Sequence, residues 1–122
     1  MLSLSMIVRD EEQQLGACLE SVKGFCDELV VVDTGSTDNT VAIAKDAGAR
    51  VEEIEWPGDF TPARNKALEF VSGDWVLVLD ADELLLDDVK PALQALMAQP
   101  DVLVINLLRY EDGAVQSPYS SV

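Results

Sequence analysis

Histidine is absent from all 122 residues. Its absence excludes Ser-His-Asp and Cys-His catalysis, imidazole general bases and the HExxH zinc site from within this chain. Cations are scarce: eight Lys and Arg stand against 23 Asp and Glu, a net charge of −15. A protein that grips nucleic-acid backbones needs a cationic face, so that class is excluded. Phosphates held through a divalent metal remain compatible with the charge. The two cysteines, Cys18 and Cys26, make neither a disulfide framework nor a zinc cluster. Cys18 falls on the apolar face of an expected helix and Cys26 lies beside Phe25 in a loop; both read as small buried hydrophobes in a reducing compartment. No apolar run approaches the roughly 18 residues of a membrane span. Met1–Val8 lacks the basic start of a secretion signal and meets Arg9-Asp10-Glu11-Glu12 at once. A soluble, cytoplasmic protein is expected, working with carboxylates, hydroxyls, amides, a few cations and a hard metal ion.

What is present is a core-sized apolar fraction, 48%, arranged as alternating strand and helix patterns. Leu2–Val8 reads as a strand. Leu15, Cys18, Leu19 and Val22 recur at helical spacing, and Lys23-Gly24 is a stop. Glu28–Val32 suits a strand buried on both faces of a parallel sheet. The turn Asp33–Asp38 leads into a helix near Asn39–Ala47, stopped by Gly48. Arg50–Glu55 is the third expected strand, and Trp56-Pro57-Gly58-Asp59 is turn chemistry. Thr61 with Pro62 behind it predicts a helix start, the helix running through Val71 with Ala63, Ala67 and Phe70 on one face. Trp75–Leu79 is a continuous apolar run, expected to be central. Asp87 is the expected cap of a helix carrying Val89, Leu93, Leu96 and Met97, which Pro100 stops. Val102–Leu108 is the fifth expected strand, and the polar stretch beyond Tyr110 shows no periodicity.

This order predicts an α/β fold: a Rossmann-like, doubly wound, mostly parallel sheet in three α/β/α layers. Residues 1–109 form the expected domain and 110–122 a polar tail. In such sheets ligands bind beyond the carboxyl ends of the strands. Those ends are Val8–Glu12, Asp33–Asp38, Glu55–Asp59 and Asp80–Glu83, where nearly every distinctive polar cluster sits.

Asp80-Ala81-Asp82 follows the fourth strand directly. Strand alternation would turn both carboxylates to one side, where they repel unless a cation such as Mg²⁺ or Mn²⁺ lies between them. The plainer reading is an acidic helix entry, with Asp82, Glu83, Asp87 and Asp88 favouring the next helix N-terminus. In Asp33-Thr34-Gly35-Ser36-Thr37-Asp38, Gly35 permits a tight turn and Ser36 or Thr37 can cap the helix. Asp33 or Thr34 can also face a nucleotide base or ribose, and the two uses are compatible. Arg64, in Ala63-Arg64-Asn65, is the natural counter-charge for a diphosphate; as a surface ion pair it would add little. Arg9, Asp10 and Glu11 lie at the same cleft edge, or else supply first-turn charge to the following helix.

Four segments occur in a telling order and spacing: Ser5–Glu12; Val30-Val31-Val32-Asp33-Thr34-Gly35-Ser36-Thr37-Asp38; Ala63-Arg64-Asn65; and Gly73-Asp74-Trp75 through Asp80-Ala81-Asp82-Glu83. Together, over roughly residues 2–108, they resemble the nucleotide-sugar-binding half of a family 2 glycosyltransferase with the A-type fold. The resemblance implies that Val8, Glu11, Asp33, Thr34, Arg64, Asp80 and Ala81 contact the nucleotide. Asp80 would face ribose or metal and Asp82 would be the metal ligand proper, the ion being Mg²⁺ or Mn²⁺. It further implies a nucleotide-sugar donor, UDP by family frequency, and inverting transfer to a hydroxyl acceptor: a glycan, a lipid-linked sugar or a peptide. The Asp-Thr-Gly-Ser variant with Phe60 resembles the branch of lipopolysaccharide-core and cell-envelope glucosyltransferases, which implies cytoplasmic work at the inner face of the membrane. Ile7-Val8-Arg9-Asp10-Glu11 lacks the Pro and Tyr common in the first motif, and Thr34 stands where many members carry a second Asp. The family's catalytic base would lie in a second half, beyond Val122. Uncovered apolar surface on a lone half would favour self-association.

Three other readings compete. A nucleotide-binding domain without turnover predicts binding with no transfer or hydrolysis. A receiver-like signalling module would use Asp33 as phosphoacceptor with Asp10 and Glu11 holding metal; it expects a lysine after the last core strand, where Arg109-Tyr110 stands, and leaves Asp80-Ala81-Asp82 unexplained. A nucleotidyltransferase would show a Gly-rich basic loop after the first strand, nearly the opposite of Arg9-Asp10-Glu11-Glu12.

Overall fold

Leu2–Val8 forms β1, and all of its residues except Ile7 are buried. The chain continues through α1 (Leu15–Val22), β2 (Glu28–Asp33), α2 (Thr40–Asp46), β3 (Arg50–Glu53), α3 (Phe60–Leu68) and β4 (Trp75–Val78). A 3₁₀ turn at Asp87–Val89 precedes α4 (Lys90–Met97), and the strands β5 (Arg109–Glu111) and β6 (Ala114–Gln116) follow. This computed structural model describes residues 1–99, 109–111 and 114–116. They belong to two compact units, Met1–Asp87 and Asp88–Val122. The expected boundary at 109/110 falls within the second unit, and the expected strand Val102–Leu108 lies outside the described residues.

In the first unit four strands form one parallel sheet in the order β3-β2-β1-β4. The chain steps outward from β1 to β3, then returns past β1 to place β4 on its other side. That reversal is the doubly wound topology, and it opens a crevice beyond the carboxyl ends of β1, β2 and β4. Val30, Val31 and Val32 are fully buried, as a strand covered on both faces requires. Val30 and Val32 pack with Ala67 of α3 and with Ile7, Ile54, Phe70 and Val71. By strand alternation Val31 leaves from the opposite face, with Leu4 and Met6, toward the layer of α1 and α2, which touch each other. On α1 the buried stripe is Leu15, Cys18, Leu19 and Val22, the spacing that puts one helical face on a sheet. On α3 it is the small pair Ala63 and Ala67, which lets that helix lie close over β1 and β2.

Several local expectations shift. The third helix begins at Phe60 with Asp59 as its extended N-cap residue, and it ends at Leu68. Thr61 is therefore inside the first turn, where the ring of Pro62 is tolerated because early N–H groups have no helical partner. Asp87 opens the 3₁₀ turn, and the N-cap position of α4 is Val89 with Pro91 just inside. The run at Trp75–Leu79 is not central among the described residues: β4 ends the sheet order, with Trp75 half-buried and Val78 41% exposed. An apolar run reports a preference for burial, not a place in the sheet. β5 and β6 pair antiparallel, with Tyr110 opposite Val115.

Gly73 joins α3's exit to β4 against the start of β1. Its N–H donates to Ser3 Oγ at 2.9 Å. A Cβ there would lie 2.5 Å from Ser3 Oγ and 2.8 Å from the Met1 carbonyl oxygen, backbone that also accepts from Asp74 and Trp75. Gly73→Ala is expected to lower stability by about 1–3 kcal/mol. Gly16→Ala on α1, whose Cβ would rest 3.8 Å from Ile43 Cγ2, should be neutral or stabilising by up to about 1 kcal/mol. Urea unfolding midpoints of the two variants check the contrast.

Candidate functional site

The carboxyl ends of β1 and β2 are laced together by reciprocal hydrogen bonds. Thr34 N–H and Thr34 Oγ1 both donate to the Val8 carbonyl oxygen, at 3.1 and 3.2 Å. Ser36 Oγ accepts from Asp10 N–H at 2.8 Å, while Asp10 Oδ1 accepts from Thr37 N–H at 2.7 Å. Thr40 Oγ1 accepts from Glu11 N–H at 2.8 Å. Glu12 N–H donates to Asp38 Oδ2 at 3.3 Å, and Glu12 Oε2 accepts from Asn39 N–H at 3.2 Å. The short polar side chains thus take up the backbone donors that two strand ends and a helix start leave open. Two conformations serve the corner. Gly35 has φ +119°, and Asp10 has φ 51°, a left-handed geometry that Asp tolerates better than most residues.

Asp33 is the buried anchor of the corner, 1% exposed. Its Oδ2 accepts from Gly35 N–H at 3.1 Å and Ser36 N–H at 2.9 Å, and its Oδ1 accepts from the Ser36 hydroxyl. An aspartate so enclosed is a poor phosphoacceptor, which removes the observation on which a receiver-like module would rest. Thr34 is likewise buried, with its hydroxyl turned to Val8. Ser36 and Thr37 do not cap α2, whose N-cap position is Asn39 without a side-chain bond; their hydroxyls are taken up by Asp33 and Asp10. The parts played by Ser36 and Thr40 were missed in sequence. Their only signal there is the density of hydroxyls between Asp33 and Thr40.

The acidic triplet is not strand. β4 ends at Val78, and Asp80–Glu83 forms a turn closed by Glu83 N–H on the Asp80 carbonyl oxygen at 2.9 Å. Asp80 N–H donates back to Glu83 Oε1 at 2.7 Å. Strand alternation therefore does not orient Asp80 and Asp82; the turn does. Ala81 is buried and Asp82 exposed.

Electrostatics show which acids share the space. Burial, then the carboxylates of Asp82, Asp38, Asp80 and Asp10 in that order, raise the pKa of Glu11 above its ordinary 4.5. The ends of β1 and β4 and the turn after β2 thus put five acids into one field. Asp38 is pushed the other way: the Thr40 hydroxyl, then backbone N–H groups, hold its carboxyl low against some desolvation. A shallow hollow of about 250 Å³ opens here, lined by Asp10, Glu11, Glu12, Gln13, Gln14 and Asp38. A larger hollow, about 420 Å³, lies at the opposite edge of the sheet. Several of its charges are already matched there: Met1 N to Asp74, Arg50 to Glu52, Glu28 to Ser3 and Ser72. Arg64 is exposed on α3 and makes no ion pair among the described residues.

A hard divalent ion fits this donor set. The ligands on offer are carboxylate oxygens that repel one another without a cation. Among the described residues no group of three His, Cys, Asp or Glu is gathered that could hold the ion by itself.

The model of the family described as "Glycosyl transferase family 2" matches residues 3–121. The chain belongs to that family. A TPR repeat-containing protein of Synechococcus elongatus is 50% identical over 98% of this chain and 30% of its own length. An uncharacterized glycosyltransferase of Rickettsia typhi is 37% identical over 80% of this chain and 33% of its own. The chain spans about a third of the length of these curated relatives. Among solved structures, glucosyl-3-phosphoglycerate synthase from Mycobacterium tuberculosis, in complex with uridine diphosphate, superposes with TM-score 0.57 at 30% identity, covering 69% of this chain and 34% of that one. Staphylococcus aureus TarS superposes with TM-score 0.65 at 24% identity over 79% of this chain and 32% of that one. The fold is that of an A-type glycosyltransferase nucleotide-binding domain.

Two predictions follow from the corner. Because the folded pKa of Glu11 is raised, its ionisation costs stability; the cost is absent below the ordinary value of 4.5 and sets in as pH rises through the raised one. Glu11→Gln should therefore be more stable than the parent at pH 7, by up to about 1 kcal/mol. The gain should vanish below pH 4.5 and shrink in high salt. Ser36→Ala deprives Asp33 of a donor and Asp10 N–H of its acceptor, and should cost about 1–3 kcal/mol. Thermal unfolding across pH, and urea unfolding at pH 7, check them.

Proposed function

We propose that this chain is the donor-binding portion of an inverting glycosyltransferase of hexosyltransferase type. It moves a sugar from a nucleoside diphosphate, UDP, to a hydroxyl acceptor in cell-envelope glycan synthesis. One observation carries the reading: acids from the ends of β1 and β4 and from the turn after β2 converge on Glu11 at the switch point of the sheet. The family membership and the solved structure holding uridine diphosphate support it. So does a related structure of that synthase holding Mn²⁺ with uridine diphosphate and glucosyl-3-phosphoglycerate, TM-score 0.55 at 30% identity.

Val8, Glu11, Asp33 and Thr34 form the wall for the nucleoside. Asp33 and Thr34 act chiefly by shaping it, since their polar atoms already bond within the corner. Asp80 and Ala81 face the ribose, and Asp80 with Asp82 holds Mg²⁺ or Mn²⁺. When bound, the ion offsets charge on the leaving diphosphate. Arg64, exposed and carrying no ion pair among the described residues, supplies a second counter-charge to that diphosphate. The acceptor site and the catalytic base belong to the remainder of the family's architecture. The cell-envelope assignment rests on the Asp33-Thr34-Gly35-Ser36 variant with Phe60 and Ala63-Arg64-Asn65, and a cytoplasmic setting on two cysteines, Cys18 and Cys26, that fit a reducing compartment.

Calorimetric titration of UDP, GDP, CDP and ADP, in Mn²⁺ and then in EDTA, tests the reading. UDP should bind in Mn²⁺, and EDTA or Asp82→Ala should weaken it at least about tenfold, or 1.4 kcal/mol. No binding of any nucleotide by a folded sample would overturn it. UDP binding without transfer or hydrolysis of a UDP-sugar would favour a binding domain without turnover.

A further inference from the structure

The acidic turn Asp80–Glu83 faces a problem of its own making. Its carboxylates and those at the end of β1 repel across the crevice, and β4 stops at Val78, before the turn begins. Something must hold the turn inward. Burial of Leu79, Ala81 and Leu85, each at most 7% exposed, does part of this, but apolar contact does not fix where a carboxylate points.

Helix α1 supplies the directional restraint. Cys18, fully buried, donates its S–H to the Asp80 carbonyl oxygen at 3.6 Å. One turn on, Ser21 Oγ accepts from Leu85 N–H at 3.0 Å while donating to the Cys18 carbonyl oxygen at 2.6 Å. The two bonds grip the segment Asp80–Leu85 at its two ends. They hang it from a helix whose buried stripe is seated on the sheet. Asp82 stands between the grips and is exposed.

We propose that Ser21 and Cys18 are positioning residues for the metal-binding carboxylates: α1 clamps the backbone of the Asp80–Leu85 segment and so fixes where Asp80 and Asp82 stand relative to the end of β1. The inference rests on the donor-site reading above. Neither residue touches nucleotide or ion, and both act through the backbone of the acidic turn.

The test compares UDP affinity in Mn²⁺ with that in EDTA for the parent, Ser21→Ala, Cys18→Ala, Ser21→Thr, Cys18→Ser and Asp82→Ala, each shown folded by urea unfolding. Ser21→Ala and Cys18→Ala should weaken binding in Mn²⁺ about three- to tenfold and leave binding in EDTA at the parent's level. Ser21→Thr, which keeps an oxygen to accept from Leu85 N–H, and Cys18→Ser, which puts an O–H donor in place of the S–H, should restore most of the loss. A merely structural role would lower both affinities together or leave both unchanged. Either result, in a parent whose Mn²⁺ dependence is abolished by Asp82→Ala, overturns the clamp and leaves the donor site standing. A parent that binds UDP with no Mn²⁺ dependence overturns the metal role of Asp82 and the clamp with it, whereas a parent that binds no nucleotide overturns the donor-site reading itself.

Discussion

Repulsion among carboxylates gathered at one edge of a parallel sheet is the constraint on which the rest of this structure turns. With β1 flanked by β2 and β4, the acid-bearing ends of these strands cannot avoid one another. The fold answers with donors: backbone N–H groups and hydroxyls between Gly35 and Thr40 are aimed at Asp33, Asp10, Asp38 and Glu12. The answer is uneven. Asp38 receives enough donors to hold its carboxyl low, whereas at Glu11 burial, and then the neighbouring carboxylates, push the carboxyl up. An edge that satisfies some acids and leaves others facing charge of their own sign is one that gains from a cation.

The same accounting separates shape from chemistry within the corner. Asp33 and Thr34 look in sequence like residues that reach for a ligand. In the fold their polar atoms close the turn, and their burial makes them part of the wall. Asp10, Asp82 and Arg64, by contrast, are exposed. Asp33 is thus fixed by its hydrogen bonds, while Asp82 is left open to solvent.

Much of this was legible beforehand. Apolar runs at Leu2–Val8 and Leu29–Val32 read as strands, and the stripe of Leu15, Cys18, Leu19 and Val22 reads as one helical face. All of these form as expected, because burial dominates local structure where the pattern is long. The short-range chemistry was less legible. Thr61 with Pro62 looks like a helix start, yet Asp59 takes the N-cap position and the helix begins at Phe60. Strand alternation carried past Leu79 would turn Asp80 and Asp82 to one side, but β4 ends at Val78 and the Asp80–Glu83 bonds make the triplet a turn. Ser36 reads in sequence only as a possible helix cap, and Thr40 and Ser21 have no assignment there, because the partners they meet lie on segments far off in the chain.

By itself, then, the amino-acid order determined the alternation of strand and helix, the parallel character of the sheet, and the edge at which the acids collect. Each follows from hydrophobic period and from where polar residues interrupt it. Which acids face one another, which are spent on holding the backbone, and which stay open to solvent was decided only in three dimensions. Those outcomes depend on angstrom-scale contacts between β1, the turn after β2, α1 and the turn after β4. No local pattern encodes a hydrogen bond whose donor and acceptor meet only once the sheet has formed.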